Sequence, residues 1–173
     1  MKRGMGKSGQ FYLIAAIILA AIIIGIAAVS NYSRKSTNVR IDDLKEELQI
    51  ESSNVLDYGT YKELNQAQKY TLFNNFAQTY IDSESGNKDL YFIFGNENNM
   101  TVKGYQESPQ TVRLNNAIIT TSRGAFVGGI NPVGKDLNVS IAENDYEFEI
   151  KPGENFYFVI IQEIEGEKYV VTS

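Results

Sequence analysis

Hydrophobic residues follow three different patterns along this chain. Residues 11–29, FYLIAAIILAAIIIGIAAV, carry no charge, and only Gly25 falls outside the hydrophobic set. A 19-residue helix covers about 28 Å, close to the hydrocarbon thickness of a bilayer. Buried helices of soluble cores rarely run so far without a polar side chain, so the segment predicts a transmembrane helix. The polar stretch 30–38, SNYSRKSTN, reads as a hinge. Beyond it Ile41, Leu44, Leu48 and Val55 recur at helical spacing. Thr37 or Asn38 is the candidate cap, and Asp42 and Asp43 suit the positive end of the helix dipole. Gly59 is expected to end that helix. A second is expected over roughly 60–81, with Tyr61, Leu64, Leu72, Phe73, Phe76 and Tyr80 on one face.

From Asp89 onward the period shortens to two. Leu90–Phe94 and Met100–Tyr105 flank Gly95-Asn96-Glu97-Asn98-Asn99, a predicted hairpin. Val112–Leu114, Ile118–Thr121 and Ala125–Ile130 read as strands, as does the alternation Leu137, Val139, Ile141. Tyr146, Phe148 and Ile150 alternate with Glu147 and Glu149, the pattern of a strand with one wet face. After the turn Pro152-Gly153-Glu154-Asn155, the run Phe156–Ile164 is apolar on both faces and should be central; Glu165-Gly166-Glu167 then closes a hairpin to Tyr169–Val171. Seven or eight short strands in about 85 residues predict an antiparallel sandwich or curled sheet. The expected class is therefore α+β: a long N-terminal transmembrane helix and helical neck followed by an antiparallel β-sandwich-like domain. The expected layout is a tail at 1–10, the membrane helix at 11–29, hinge and neck at 30–82, and a β-rich domain at 88–173, with the second helix covering one sheet face.

Charge adds an orientation. Lys2, Arg3 and Lys7 precede the apolar run with no acid, whereas 13 basic and all 21 acidic residues follow it, a net of +3 against −8. A short basic tail and a long acidic domain favour the N-terminus inside and the domain outside, although Arg34, Lys35 and Arg40 weaken the asymmetry at the membrane itself. An acidic domain argues against nucleic acid as a partner. The 173 residues include no Cys and no His, which excludes a Ser-His-Asp triad, a Cys nucleophile, a disulfide and a His- or Cys-ligated zinc site. No cofactor is expected.

Three fates of the apolar segment follow. A secretory signal would be cut behind it, with Gly25 and Ala27, or Ala28 and Ser30, at the small-residue positions; an uncleaved signal-anchor needs only what is visible. The third rests on Lys2, Arg3 and Lys7, then Gly9-Gln10, then the uninterrupted apolar helix. In that order the first 30 residues or so resemble archaeal type IV pilin-like precursors, whose prepilin peptidase cuts before the apolar helix. The resemblance implies processing between Gly9 and Gln10 and retention of the helix on the mature chain. Type IV pilins commonly have Glu at the fifth mature position and many precursors have Ser at the third; this chain has Ile14 and Tyr12 there. Ala16 with Ala20, and Ala21 with Gly25, fall four apart and would permit close helix–helix approach in lipid.

Other motifs reduce to structure. Ser85-Gly86-Asn87-Lys88 has Ser-x-x-Lys spacing but lacks the companion motifs of that chemistry and reads as a surface turn. Glu147 and Glu149, two apart on a wet face, read as solvation rather than as a glycosidase pair. Asn96-Glu97-Asn98-Asn99 lacks the Asp-rich spacing of a calcium loop, and Gly128-Gly129 lacks the sequel of a phosphate loop. Asn31, Asn99 and Asn138 head Asn-x-Ser/Thr sequons, of which Asn99 and Asn138 are weak glycosylation candidates.

The expectation is a single-pass, membrane-anchored extracytoplasmic protein of structural or adhesive kind, pilin-like on the resemblance, and not an enzyme. Its partners would be the lipid bilayer and either further copies of itself or other membrane helices. The alternatives are a membrane-tethered binding or hydrolytic module, or an accessory subunit of a membrane complex.

Overall fold

The structure is a computed structural model that describes Ile24, a helical exposed position, and residues 41–173 apart from Ala142 and Glu165. Residues 41–173 form one compact unit. Among the described residues no helix is long and apolar enough to cross a membrane. The rest of the run Phe11–Val29, the hinge and its candidate cap lie outside them.

Helix α1 covers residues 41–61. Its inner stripe is the expected Ile41, Leu44, Leu48 and Val55, completed by Ser52 and Gly59, so that a buried or half-buried residue recurs every three or four positions. The expected break at Gly59 does not occur. The helix ends instead in a paired closure, in which Leu64 N–H donates to Gly59 O (3.1 Å) and Glu63 N–H donates to Thr60 O (3.0 Å). That closure needs a left-handed residue, and Glu63 supplies it with φ 51°. Gly59 instead lies along the inner stripe, where a Cβ would stand at an ordinary contact distance, 3.7 Å, from Leu72 and Lys69.

The second helix is correspondingly later than expected. Asn65 caps α2, Gln66–Glu84, through a capping box: its side chain accepts from Gln68 N–H, and the Gln68 side chain accepts from Asn65 N–H, both at 3.0 Å. Phe73, Ala77, Tyr80 and Ile81 are its buried face; Tyr61, expected on that face, ends α1 and is exposed. The helices run antiparallel, because Gly59 meets Leu72 near one end while Tyr80 Oη reaches Glu47 (3.0 Å) and Glu51 (2.9 Å) near the other. Burial and these two carboxylates, which favour the protonated phenol, push the Tyr80 hydroxyl above the ordinary tyrosine range.

A 3₁₀ turn, Ser85–Asn87, leads into nine strands: β1 Lys88–Asn96, β2 Asn99–Gln106, β3 Thr111–Leu114, β4 Ala117–Thr120, β5 Gly124–Ile130, β6 Asp136–Ile141, β7 Asn144–Glu149, β8 Asn155–Ile164 and β9 Glu167–Thr172. They form two antiparallel sheets, a large one in the order β5-β2-β1-β8-β9 and a small one in the order β4-β3-β6-β7. The two antiparallel sheets make the unit α+β and sandwich-like, with the helices as a third layer.

Strands β1 and β8 pair at the centre of the large sheet, Phe92 opposite Phe158 and Tyr91 opposite Val159. Alternation along them feeds two cores. Leu90, Phe92, Phe94, Phe156, Phe158 and Ile160 face the helices, where Phe94 and Phe156 stack with centroids 6.1 Å apart. Tyr91, Ile93, Val159 and Ile161 face the small sheet and meet Val112, Leu114, Leu137, Val139 and Phe148. Phe156–Ile164 is thus central and two-sided, as its sequence implies. The hairpin β1–β2 is tighter than expected, since Asn96 pairs with Asn99 and leaves only Glu97 and Asn98 as loop.

Candidate functional site

The connections divide between two ends of the sandwich. One end gathers the entry to β1 and the connections β2–β3, β4–β5, β6–β7 and β8–β9; the other gathers β1–β2, β3–β4, β5–β6 and β7–β8. At the first end polar side chains replace the apolar packing between the sheets.

Tyr91 is fully buried and its hydroxyl accepts from Gln106 Nε2 at 2.9 Å. Gln106, also fully buried, accepts in turn from Thr121 Oγ1, which lies 3.0 Å from Gln110 O as well. One residue pair outward, Asp89 accepts from Glu107 N–H through Oδ1 and from Gln110 Nε2 through Oδ2, each at 2.8 Å. Burial pushes the Asp89 carboxyl above the usual aspartate value, against the pull of those two hydrogen bonds; Glu107 pushes the same way and Lys168 opposes. Burial also lifts Tyr91 above the ordinary phenol range and raises Tyr146. Two polar atoms of this seam, Gln110 Oε1 and Tyr146 Oη, are buried without a hydrogen-bond partner among the described residues. Such atoms are uncommon in native interiors, where a lost partner costs about 1–3 kcal/mol.

The seam opens into two adjoining clefts. The smaller, about 320 Å³, is lined by Asp89, Glu107, Gln110, Glu163 and Lys168. The larger, about 700 Å³, shares Ser108, Gln110 and Lys168 with it and adds Arg113, Glu143 and Asp145. Charges of both signs and amide groups suit a small polar ligand. Among the described residues no three Asp or Glu side chains come together as a metal set.

The motifs weighed in the sequence have structural duties here. Lys88 is buried and gives its ammonium to Glu84 at 2.6 Å, an i,i+4 pair at the end of α2, with Ser85 in the following 3₁₀ turn. Asn96 Oδ1 accepts from Asn98 N–H (3.0 Å) and Asn99 N–H (3.1 Å), holding the tight turn, and Glu97 accepts from Gly153 N–H. Glu147 and Glu149 are exposed along β7. Gly128 makes room for β4: a Cβ there would meet Ile119 Cδ1 at 2.5 Å. Asn99 and Asn138 are exposed, the latter on the wall of a hollow of about 780 Å³ at the other end of the sandwich. Gly9, Gln10, Ala16, Ala20, Ala21, Gly25 and Asn31 lie outside the described residues.

Asp89, Gln106, Gln110, Thr121 and Tyr146 were not legible as a group. The available signal was the break in alternation at Gln106, a polar residue at an inward position of an otherwise apolar face. No family model, no curated protein and no solved structure matches this chain.

Proposed function

We propose that the chain is a single-pass, membrane-anchored extracytoplasmic protein of structural or adhesive kind, a pilin-like subunit whose apolar segment Phe11–Val29 stays on the mature protein. One observation carries the reading. An uncharged run of 19 residues, preceded by Lys2, Arg3, Lys7 and Gly9-Gln10, is followed in sequence by a helix docked along a β-domain. The antiparallel helix pair supports a polarity. Ile41 lies at the end of the unit where α2 leaves for β1, so the connections β1–β2, β3–β4, β5–β6 and β7–β8 lie away from the point of entry. The exposed Val133 and the hollow beside Asn138 lie among those turns.

The absence of native cysteine makes the test clean. A Glu147→Cys chain is expected to react with a membrane-impermeant maleimide on intact cells and to remain with the membranes after an alkaline wash. Labelling only after lysis, or release of the chain into the soluble fraction, would contradict the proposal. A second reading, a tethered binding module, is favoured by Gln110, which lines both charged clefts and whose Oε1 is buried with no hydrogen-bond partner among the described residues.

A further inference from the structure

A cleft of about 310 Å³ lies where the start of α2 meets the β1–β2 hairpin and the β7–β8 turn. Phe94 stands opposite Thr101 and Asn96 opposite Asn99. Because Phe94 faces the helices, its three companions share that face of the large sheet. The buried Phe73 and Phe94 line the cleft, and Tyr70, whose ring centroid is 5.8 Å from that of Phe94, remains 46% exposed as its aromatic wall. The polar lining is unused. Gln66, Asn98, Asn99, Thr101 and Glu154 come from three separate elements, and none of their side chains makes a hydrogen bond among the described residues. In the seam at the opposite end, by contrast, Asp89, Gln106 and Thr121 are already paired. Asn96 Oδ1 holds the tight turn through Asn98 N–H and Asn99 N–H, which fixes both residues beside the cleft. Burial raises the Glu154 carboxyl above the usual glutamate value, with Lys69 opposing and Glu97 adding to the effect.

We propose that this cleft binds one ring of a neutral sugar, with a C–H face of the ring on Tyr70 and its hydroxyls on Gln66, Asn98, Asn99, Thr101 and Glu154. Charge selects a neutral ligand. Among the described residues only Glu154 brings a charge to the lining, and Lys69 lies near enough to offset it. An anion would meet Glu154 and Glu97, and a cation would meet Lys69. A peptide would find no strand to pair with, since β1 lies between β2 and β8 and β2 lies between β1 and β5. The volume is at the lower end for a ligand pocket and suits one ring rather than a chain. Sugar hydroxyls both donate and accept, which matches amides, a hydroxyl and a carboxylate set around a ring by three elements. The apolar C–H face of the same ring takes the exposed aromatic wall, which would otherwise stay wet. The inference concerns the described unit alone and does not rest on the membrane reading.

The test uses the full chain from its native host, in a detergent without a sugar headgroup, and the methyl glycosides of glucose, galactose, mannose and N-acetylglucosamine, read by saturation-transfer NMR. At least one is expected to bind with a dissociation constant on the order of 1 mM and to receive saturation at its ring C–H protons. Tyr70→Ala is expected to weaken that binding roughly tenfold and Glu154→Gln roughly threefold, whereas Tyr70→Phe should bind like the wild type. Asn98→Ala, in the exposed turn and away from the helix, is expected to weaken it roughly threefold with the circular dichroism spectrum unchanged. No binding by any of the four sugars at about 10 mM overturns the proposal. Binding that Tyr70→Ala and Asn98→Ala both leave unchanged overturns it too, since the sugar would then sit elsewhere. A cleft that takes tetramethylammonium or a dipeptide amide ahead of every sugar, or a glycan found on Asn99 by intact mass as a covalent occupant, overturns it as well.

Discussion

Asp89 shows how a single residue joins the two sheets. Its carboxylate takes Glu107 N–H and Gln110 Nε2 from the β2–β3 connection, and burial raises its pKa above the ordinary 3.8 in spite of both bonds. A raised folded-state pKa means that folding favours the protonated carboxyl. The contribution to stability is fully present below 3.8 and is lost as pH rises through the folded value. Denaturation of the wild type and of Asp89→Asn, followed by tyrosine fluorescence at a series of pH values from 3 upward, measures this directly. The wild type is expected to lose stability across that window relative to the variant, whose difference from it should flatten above the folded pKa. A pH-independent difference would show that the carboxyl titrates as it does unfolded. Nothing beside Asp89 in the sequence announces this role, because its partners arrive 18 and 21 residues later through the crossover between sheets. Tyr146 shares that difficulty and reads as an ordinary strand residue until the second sheet is laid on the first, whereas Gln106 breaks the apolar alternation of β2 without showing what it meets.

Elements were far more legible, for a physical reason. Periodicity records which face of a segment is buried, and here α1, β1, β2, β6 and β8 each have a well-defined buried face or two. Phe156–Ile164 reads as central from its composition alone and is buried on both sides. The misplacement came at the helix junction. Gly59 looks like a stop, but the left-handed position falls at Glu63 and the next helix is started by Asn65. A glycine within a stripe marks either a break or a close approach, and spacing alone does not separate the two. The junction predicts opposite effects from neighbouring substitutions. Asn65→Ala removes the capping box and is expected to cost about 1 kcal/mol, while Glu63→Gly relieves the left-handed residue and is expected to gain somewhat less than about 1 kcal/mol. Urea denaturation of both variants checks the pair. A stabilising Asn65→Ala would contradict the assigned cap.

At the scale of the molecule, two features of the sequence point the same way. The apolar run has the length that a bilayer-spanning helix would need, and on the reading proposed above the charge asymmetry around it would set the acidic domain outside. The described unit has two antiparallel sheets closed around their own core and a helix pair covering the large sheet. Which ligand or surface the turns of this unit meet was never written in local spacing, because the clefts and the hollow are assembled from strands far apart in the chain. The central claim is that Phe11–Val29 remains on the mature protein as its anchor and assembly segment. Intact mass measurement of the chain recovered from the membrane and surface fraction, from the native host, tests it most directly. The account predicts a mature chain that begins at Gln10; a chain that begins beyond Val29 would contradict the anchor, and one that begins at Met1 would contradict the pilin-like processing.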